Sequence, residues 1–398
     1  MSSRRSFIKL ASAGLLTAGT AVRAFTQQVS SALSGFVQES APAAETFYNG
    51  RKCLYFGGTS YYGLQNHPEL IKAAQEALAR FGTHSGTSRY PYGTTPLYVE
   101  VEKRAAEFFG TEDAAYVTSG YLQNMAAFQA MDQLKMFDVV FLDERAHYSV
   151  FDFAWALRKP VFTFAHADPA DLARQLKEHV RAGEKPLLMS DGIFPTFGML
   201  APIPEYLKLV ENYDGLIWLD DAHAMGVLGG HGRGTYEHFG LKSNRLYFGG
   251  TFSKAVGSHG GVIPGPAALV KTIRGGHIMN GASAGSSATA AAALKGMELL
   301  QAHPEWRDRL AKNARQLRGG LKNLGFEMND SPAPVAAWRL KSAKAMDDVH
   351  SELLNRGILI QRSRYVGAGP DGVLRAVVFA THTPEQIDRL LAELKMLV

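Results

Sequence analysis

The sequence predicts an α/β protein with a large domain built on a mostly parallel sheet and a smaller α+β lobe. Two observations carry this. Short, nearly continuous apolar runs (Val139–Leu142, Val161–Phe164, Leu187–Met189, Leu216–Leu219 and Leu246–Phe248) alternate with stretches of helical character, the pattern of strands buried on both faces. From Ala291 onward the pattern changes to long helices around Glu298 and Leu310, short strands near Val335 and Val377, and a final helix.

The N-terminus reads as an address. Ser3-Arg4-Arg5-Ser6-Phe7-Ile8-Lys9 precedes a small, apolar stretch from Leu10 to Val22, and Val22-Arg23-Ala24 offers small residues at cleavage-site spacing. Paired arginines, a short apolar core and a small-residue exit form a secretory signal of the twin-arginine type. The stretch is too short for a membrane span, which needs roughly 20 residues. Residues 1–24 are therefore expected to be a signal handled by the twin-arginine translocation machinery, with the mature protein in the periplasm; a cytoplasmic N-terminal helix is the alternative. Residues 25–45 form a polar linker, 46–90 the N-terminal segment of the small lobe, 91–288 the large domain and 289–398 the C-terminal small domain.

Within the fold, His67-Pro68 opens a helix to about Phe81, and further helices are expected over Glu100–Phe109 and Asn124–Leu134. The net charge of +5 over 398 residues is spread along the chain. Nucleic-acid binders gather basic residues on one element, so no nucleic-acid partner is expected. Cys53 is the only cysteine, which excludes an intrachain disulfide and a cysteine-based zinc site, and no metal site is expected.

In open α/β sheets ligands lie beyond the carboxyl ends of the strands. The polar residues there are His147, Asp191, Asp220 with His223, and Thr251 with Ser253 and Lys254. Lys254 follows Gly249-Gly250-Thr251-Phe252-Ser253. A lysine that attacks an aldehyde must be partly desolvated, because only the neutral amine reacts; by itself this segment fits a surface lysine in a glycine-rich turn equally well. A carboxylate such as Asp220, ending a buried strand, can hold a pyridine nitrogen protonated. His223 could bond a phenolic oxygen of such a ring or orient Asp220. Ser119-Gly120-Tyr121 lies between an apolar run and a helix, where free N–H groups favour a phosphate, although Ser-Gly there also suits a plain cap. His147 could lay its ring over a planar cofactor.

Together these residues resemble the α-oxoamine synthase group of fold-type-I enzymes dependent on pyridoxal 5′-phosphate (PLP). The resemblance runs from about Leu54 to the C-terminus. It includes Gly86-Thr87-Ser88-Arg89, Ser119-Gly120-Tyr121, Ala146-His147, Asp220-Asp221-Ala222-His223, Gly232-Arg233-Gly234, Thr251-Phe252-Ser253-Lys254 and Ala380-Thr381-His382-Thr383-Pro384. It implies PLP held by Lys254 as a Schiff base, Asp220 at the pyridine nitrogen, His223 at the ring oxygen and His147 on the ring face. It further implies phosphate contacts from Ser119, Gly120, Tyr121 and Thr251, with Ser253 beside them. Arg375 would grip a substrate carboxylate, a task suited to a planar bidentate donor. The resemblance also implies a homodimer.

Three positions depart from the group's pattern: Thr59 replaces an asparagine, Pro195-Thr196-Phe197-Gly198 replaces Ser-Met-Asp-Gly, and Tyr98 replaces a histidine. The cofactor half is intact and the substrate half altered. Acyl-CoA, which the group uses to acylate an amino acid with loss of CO₂, is a cytoplasmic currency. Export and the altered half therefore lead to an expectation of periplasmic transamination between an amino substrate and an oxo-acid, with acyl transfer as the alternative. Replacing Arg4 and Arg5 with lysines should leave uncleaved protein in the cytoplasm; cell fractionation checks this, and an unchanged distribution would refute the signal.

Overall fold

The computed structural model describes residues 38–398 except 49 and 91; the expected signal and most of the 25–45 linker lie outside these residues. The large sheet comprises β3 (Asp113–Val117), β4 (Val139–Asp143), β5 (Val161–Phe164), β6 (Pro186–Asp191), β7 (Leu216–Asp220), β8 (Leu246–Thr251) and β9 (Gly261–Gly265). Their spatial order is β3-β9-β8-β7-β6-β4-β5. All neighbouring pairs from β8 to β5 are parallel, and β9 runs antiparallel to both β3 and β8. The central strands β4, β6 and β7 are buried at every residue, as two-sided coverage requires.

Register then decides where chemistry can gather. Asp191 pairs with Asp220, and Asp220 with Gly249, so the carboxyl ends of β6, β7 and β8 finish level with one another. The five apolar runs are all strands, several of them longer than expected because they carry on into their polar end residues. β3 and β9 have no counterpart among those runs. Their sequences, Asp-Ala-Ala-Tyr-Val and Gly-Val-Ile-Pro-Gly, are rich in small residues, which lets backbones approach: a methyl on Gly261 would meet the Ser119 carbonyl.

Helices α1 (Pro68–Phe81), α2 (Pro96–Phe109), α3 (Gly120–Gln133) and α4 (Tyr148–Ala156) follow in the first half. α2 and α3 each begin four residues before the expected start. Pro96 suits a first turn, where its missing N–H is no loss, and Ser119 caps α3 by accepting the Tyr121 N–H at 3.1 Å. In the second half α5 (Ser287–Ala302) passes so close to the Lys254 loop that a methyl on Gly296 would strike the Val256 carbonyl.

The N-terminal strands β1 (Glu45–Tyr48) and β2 (Arg51–Tyr55) pair with each other, and β2 runs parallel to β11 (Ile358–Leu359). β10 (Val335–Trp338), β13 (Val373–Val377) and β12 (Gln361–Ser363) make an antiparallel sheet in the order β10-β13-β12. Helices α6 (Glu305–Asn323), α7 (Ala343–Asn355) and α8 (Pro384–Lys395) cover these strands, burying Leu54, Phe56, Leu317, Trp338, Leu353 and Leu390 in one core. Cys53 is buried. No helix among the described residues is long and apolar enough to cross a membrane.

Arg89 has a structural role. It meets Glu102 in a bidentate pair at 2.7 and 3.1 Å and donates to the Tyr116 carbonyl at 3.2 Å, while Glu102 accepts the Tyr116 N–H at 2.9 Å. Arg274 joins Glu102 at 3.1 Å and Asp113 at 2.6 Å. This ties α2 to β3 inside the protein, with Arg89 and Glu102 only 4% and 3% exposed. Removing one partner of such a pair strands a buried charge. Glu102→Ala should therefore cost about 3–5 kcal/mol in chemical denaturation; a loss below about 1 kcal/mol, the scale of an exposed pair, would contradict this account.

Candidate active site

The loop after β8 presents Lys254. Thr251 Oγ1 donates to the Gly260 carbonyl at 3.0 Å and accepts both the Ser253 N–H at 3.1 Å and the Ser253 hydroxyl at 2.8 Å. This tight turn fixes the backbone entering Lys254. Burial lowers the affinity of the Lys254 amine for its proton, against the opposing charges of Asp220 and Asp191, and the Arg375 charge lowers it further. A neutral amine is thus more accessible than on a surface lysine.

Asp220, 5% exposed at the end of β7, is aimed by Asn124 Nδ2 at 2.8 Å, with a weaker contact from Gln123 Nε2 at 3.4 Å. Asn124 can present only its amide nitrogen here. Its Oδ1 is occupied by the Trp218 indole N–H at 2.8 Å and Gln123 Nε2 at 2.7 Å, and its Nδ2 also reaches Ser149 Oγ at 2.8 Å. Ser149 Oγ in turn lies 2.8 Å from His147 Nδ1.

His147 caps α4. Its backbone N–H donates to Asp191 at 2.7 Å and its Nε2 lies 2.6 Å from the Tyr365 hydroxyl. Burial holds the His147 ring below the ordinary imidazole range. Burial, and then the Asp220 charge, pushes the Asp191 carboxyl well above the usual carboxylate range. His223 does not orient Asp220: its Nδ1 lies 2.6 Å from the Tyr61 hydroxyl. Burial and then the charges of Lys254 and Arg375 keep its ring neutral.

An anion cradle lies beside the lysine. Gly120 opens α3 so close to β8 that any side chain there would run into Thr251. Backbone N–H groups of the first helical turn and the hydroxyls of Ser119, Thr251 and Ser253 edge the same space, an arrangement suited to phosphate. The Tyr121 side chain turns away and donates to Asp152, so Tyr121 would serve a phosphate through its backbone.

Nine expected residues (Ser119, Gly120, Tyr121, His147, Asp220, His223, Thr251, Ser253 and Lys254) line one cavity of about 140 Å³. Arg375 lies outside that lining. It is buried, donating through Nε to the Pro195 carbonyl at 3.1 Å and through Nη1 to Gly58 O at 3.5 Å and to Gln361 Oε1. These acceptors are uncharged, and no carboxylate among the described residues pairs with it. Burial makes its charge costly, and the arginine keeps capacity for an anion.

Asn124, Ser149, Tyr61 and Tyr365 join the site without having been singled out by the sequence. Gln123-Asn124, polar at the start of a helix that buries both, carries a local signal; Tyr365 carries none, because its partner is 218 residues away. Among the departures, Tyr98 is buried in α2 and donates to the Gly285 carbonyl. Pro195 offers Arg375 its carbonyl, and Thr196 Oγ1 donates to the Val366 carbonyl at 2.5 Å.

A half-buried lysine, a buried carboxylate, a neutral histidine and a hydroxyl-lined helix start together make a donor set that fits PLP: amine for aldehyde, carboxylate for pyridine nitrogen, cradle for phosphate. Comparison with known proteins agrees. The family profile "Aminotransferase class I and II" matches residues 51–394. The chain is 34% identical to an 8-amino-7-oxononanoate synthase from Lysinibacillus sphaericus, covering 88% of this chain and 90% of that protein. It is 30% identical to a serine palmitoyltransferase from Sphingobacterium spiritivorum, covering 89% of each. Its fold matches a serine palmitoyltransferase variant from S. paucimobilis with bound PLP-myriocin aldimine at a TM-score of 0.85 and 26% identity, over 96% of this chain and 98% of that one. The chain belongs to the class I and II aminotransferase family, as a fold-type-I transferase whose cofactor is PLP.

Proposed function

We propose that this protein is a decarboxylative C-acyltransferase of the α-oxoamine synthase type, joining the α-carbon of an amino acid to the acyl group of an acyl-CoA and releasing CO₂ and CoA. The observation that carries this reading is the likeness, over nearly the whole chain, to a synthase of 8-amino-7-oxononanoate and to a serine palmitoyltransferase. That likeness favours acyl transfer over the transamination expected from sequence.

Bound PLP supplies an electron sink for negative charge at the substrate α-carbon. Lys254 would carry the cofactor through Nζ and, once displaced by the substrate, hold and move the α-proton. Asp220, fixed by Asn124, would keep its negative charge on the pyridine nitrogen. His223, neutral and anchored on Tyr61, would donate to the ring oxygen, and His147 would cover the ring face. Ser119, Gly120, Tyr121 and Thr251 would hold the phosphate, and Arg375 the substrate carboxylate. Two copies are expected to form a dimer.

Periplasmic transamination remains a second reading because of a specific observation: the Ser3–Lys9 string points to export, away from acyl-CoA, and the replacements at Thr59 and Pro195 change the substrate half. It would use the same cofactor half, with an oxo-acid as the second substrate.

Lys254→Ala should lose the visible absorbance of the PLP–lysine linkage. Borohydride reduction and peptide mapping of the wild-type protein should find the label on Lys254, and a label on another lysine would overturn the assignment. For the reaction, purified protein given an amino-acid panel and acyl-CoA should release CoA and CO₂ together. Conversion of the cofactor to its amino form without any thioester, reversed by an oxo-acid, would establish transamination instead.

A further inference from the structure

We propose that the Tyr365 hydroxyl is a substrate-recognition group that, together with Arg375, grips the carboxylate of the amino substrate. This rests on the reading above only in taking the substrate to be an amino acid. The residue reaches the site from the small lobe, on the loop between β12 and β13. The loop is tied down on several sides. Thr196 Oγ1 donates to the Val366 carbonyl at 2.5 Å, Ser363 Oγ accepts the Tyr365 N–H at 3.2 Å, and Arg339 donates to the Ala368 carbonyl at 3.1 Å. The Tyr365 ring stands edge-on to Tyr148 at 5.2 Å.

Counting protons fixes the direction of the contact with His147. The Ser149 backbone N–H, which can only donate, points at Nδ1 at 3.2 Å. With Nδ1 accepting that N–H, the 2.8 Å contact with Ser149 Oγ needs the serine hydrogen, which the bond Ser149 Oγ accepts from Asn124 Nδ2 leaves available. Nδ1 is therefore an acceptor, and a neutral ring carries its hydrogen on Nε2. That hydrogen goes to the Tyr365 oxygen at 2.6 Å. The phenol hydrogen of Tyr365 cannot also be used there, and the hydroxyl makes no other hydrogen bond to a described residue.

The result is a donor held in place and left without a protein acceptor. The chain Asp220–Asn124–Ser149–His147–Tyr365 links it to the carboxylate expected at the pyridine nitrogen. Burial and the nearby acidic groups push the phenol up to about 12, so it stays a donor over the working pH range. Arg375 pairs with Gln361 across β13 and β12, the strand that leads into the Tyr365 loop, and the adjacent Pro195 and Thr196 bond Arg375 and that loop respectively; Arg375 has no carboxylate partner among the described residues. Two donors, neither of them bonded to a carboxylate among the described residues, suit a ligand group that only accepts and is negatively charged. A carboxylate meets both conditions. The rebuilt Pro195–Gly198 segment makes this possible, since Thr196 holds the loop that carries the phenol.

The test is a binding titration of the PLP-loaded protein, followed by the change in cofactor absorbance, with L-alanine and its carboxylate-free counterpart ethylamine. Tyr365→Phe keeps the ring on Tyr148 and removes only the hydroxyl. The Kd for L-alanine should rise roughly ten-fold or more, the scale of one hydrogen bond to a charged group, with the Kd for ethylamine unchanged. An unchanged L-alanine affinity, or equal weakening of both ligands, overturns the proposal. If Tyr365→Phe does not fold, Thr196→Val decides: the Kd for L-alanine divided by that for ethylamine should rise there too, and an unchanged ratio is a refutation. No thioester is present, so failure of acyl transfer and failure of this contact are read separately.

Discussion

The organising constraint is the burial of Asp220 at the end of a central strand. A carboxylate withdrawn from water needs partners that satisfy it without neutralising it. The protein supplies them as neutral donors, chiefly Asn124, whose own oxygen is occupied by Trp218 and Gln123 so that only its nitrogen can face the acid. Trp218 lies on the same strand, two residues before Asp220, and Asn124 lies on the helix whose N-terminus forms the anion cradle. One strand and one helix thereby fix the positions of both the buried carboxylate and the anion cradle. The distance between them is set by packing, down to Gly120 against Thr251.

The same constraint explains what can be read from the sequence. Residues ending apolar strands are legible, because a strand buried on both faces has nowhere to put a charge except beyond its end. That logic locates His147, Asp191, Asp220 and the Lys254 loop. It fails for β3 and β9, whose small residues serve close backbone approach and do not read as apolar runs. It cannot find Tyr365 or the capacity of Arg375, since both depend on the small lobe folding back over the large one. It also leaves two alternatives open for His223, which in the structure bonds Tyr61 and not Asp220. Arg89, matched as part of a motif, turns out to hold α2 on β3.

The replacements in the substrate half are coupled. Thr196 reaches the loop of Val366, that loop carries Tyr365, and Tyr365 takes the hydrogen of His147. Pro195 meanwhile serves Arg375 through its carbonyl. A lost serine side chain at Pro195 is thus accompanied by a new hydroxyl approaching from the other lobe, and the polarity of the substrate wall is rearranged rather than removed. Taken one position at a time, the same changes look like loss of function.

This division also bears on the choice of reaction. The groups proposed to handle the cofactor sit at strand ends of one sheet, and both acyl transfer and transamination would use them unchanged. What distinguishes the reactions is the second substrate. The hydrogen-bonded link from Tyr365 to Asp220 runs through His147, Ser149 and Asn124, so a change in the small-lobe loop reaches Asp220 only through three intervening side chains. A fold arranged in this way can exchange one acceptor for another by altering a loop and its tether. For that reason the intact cofactor half carries little weight in deciding between the two chemistries, and the case for acyl transfer rests on the full-length likeness to synthases and acyltransferases.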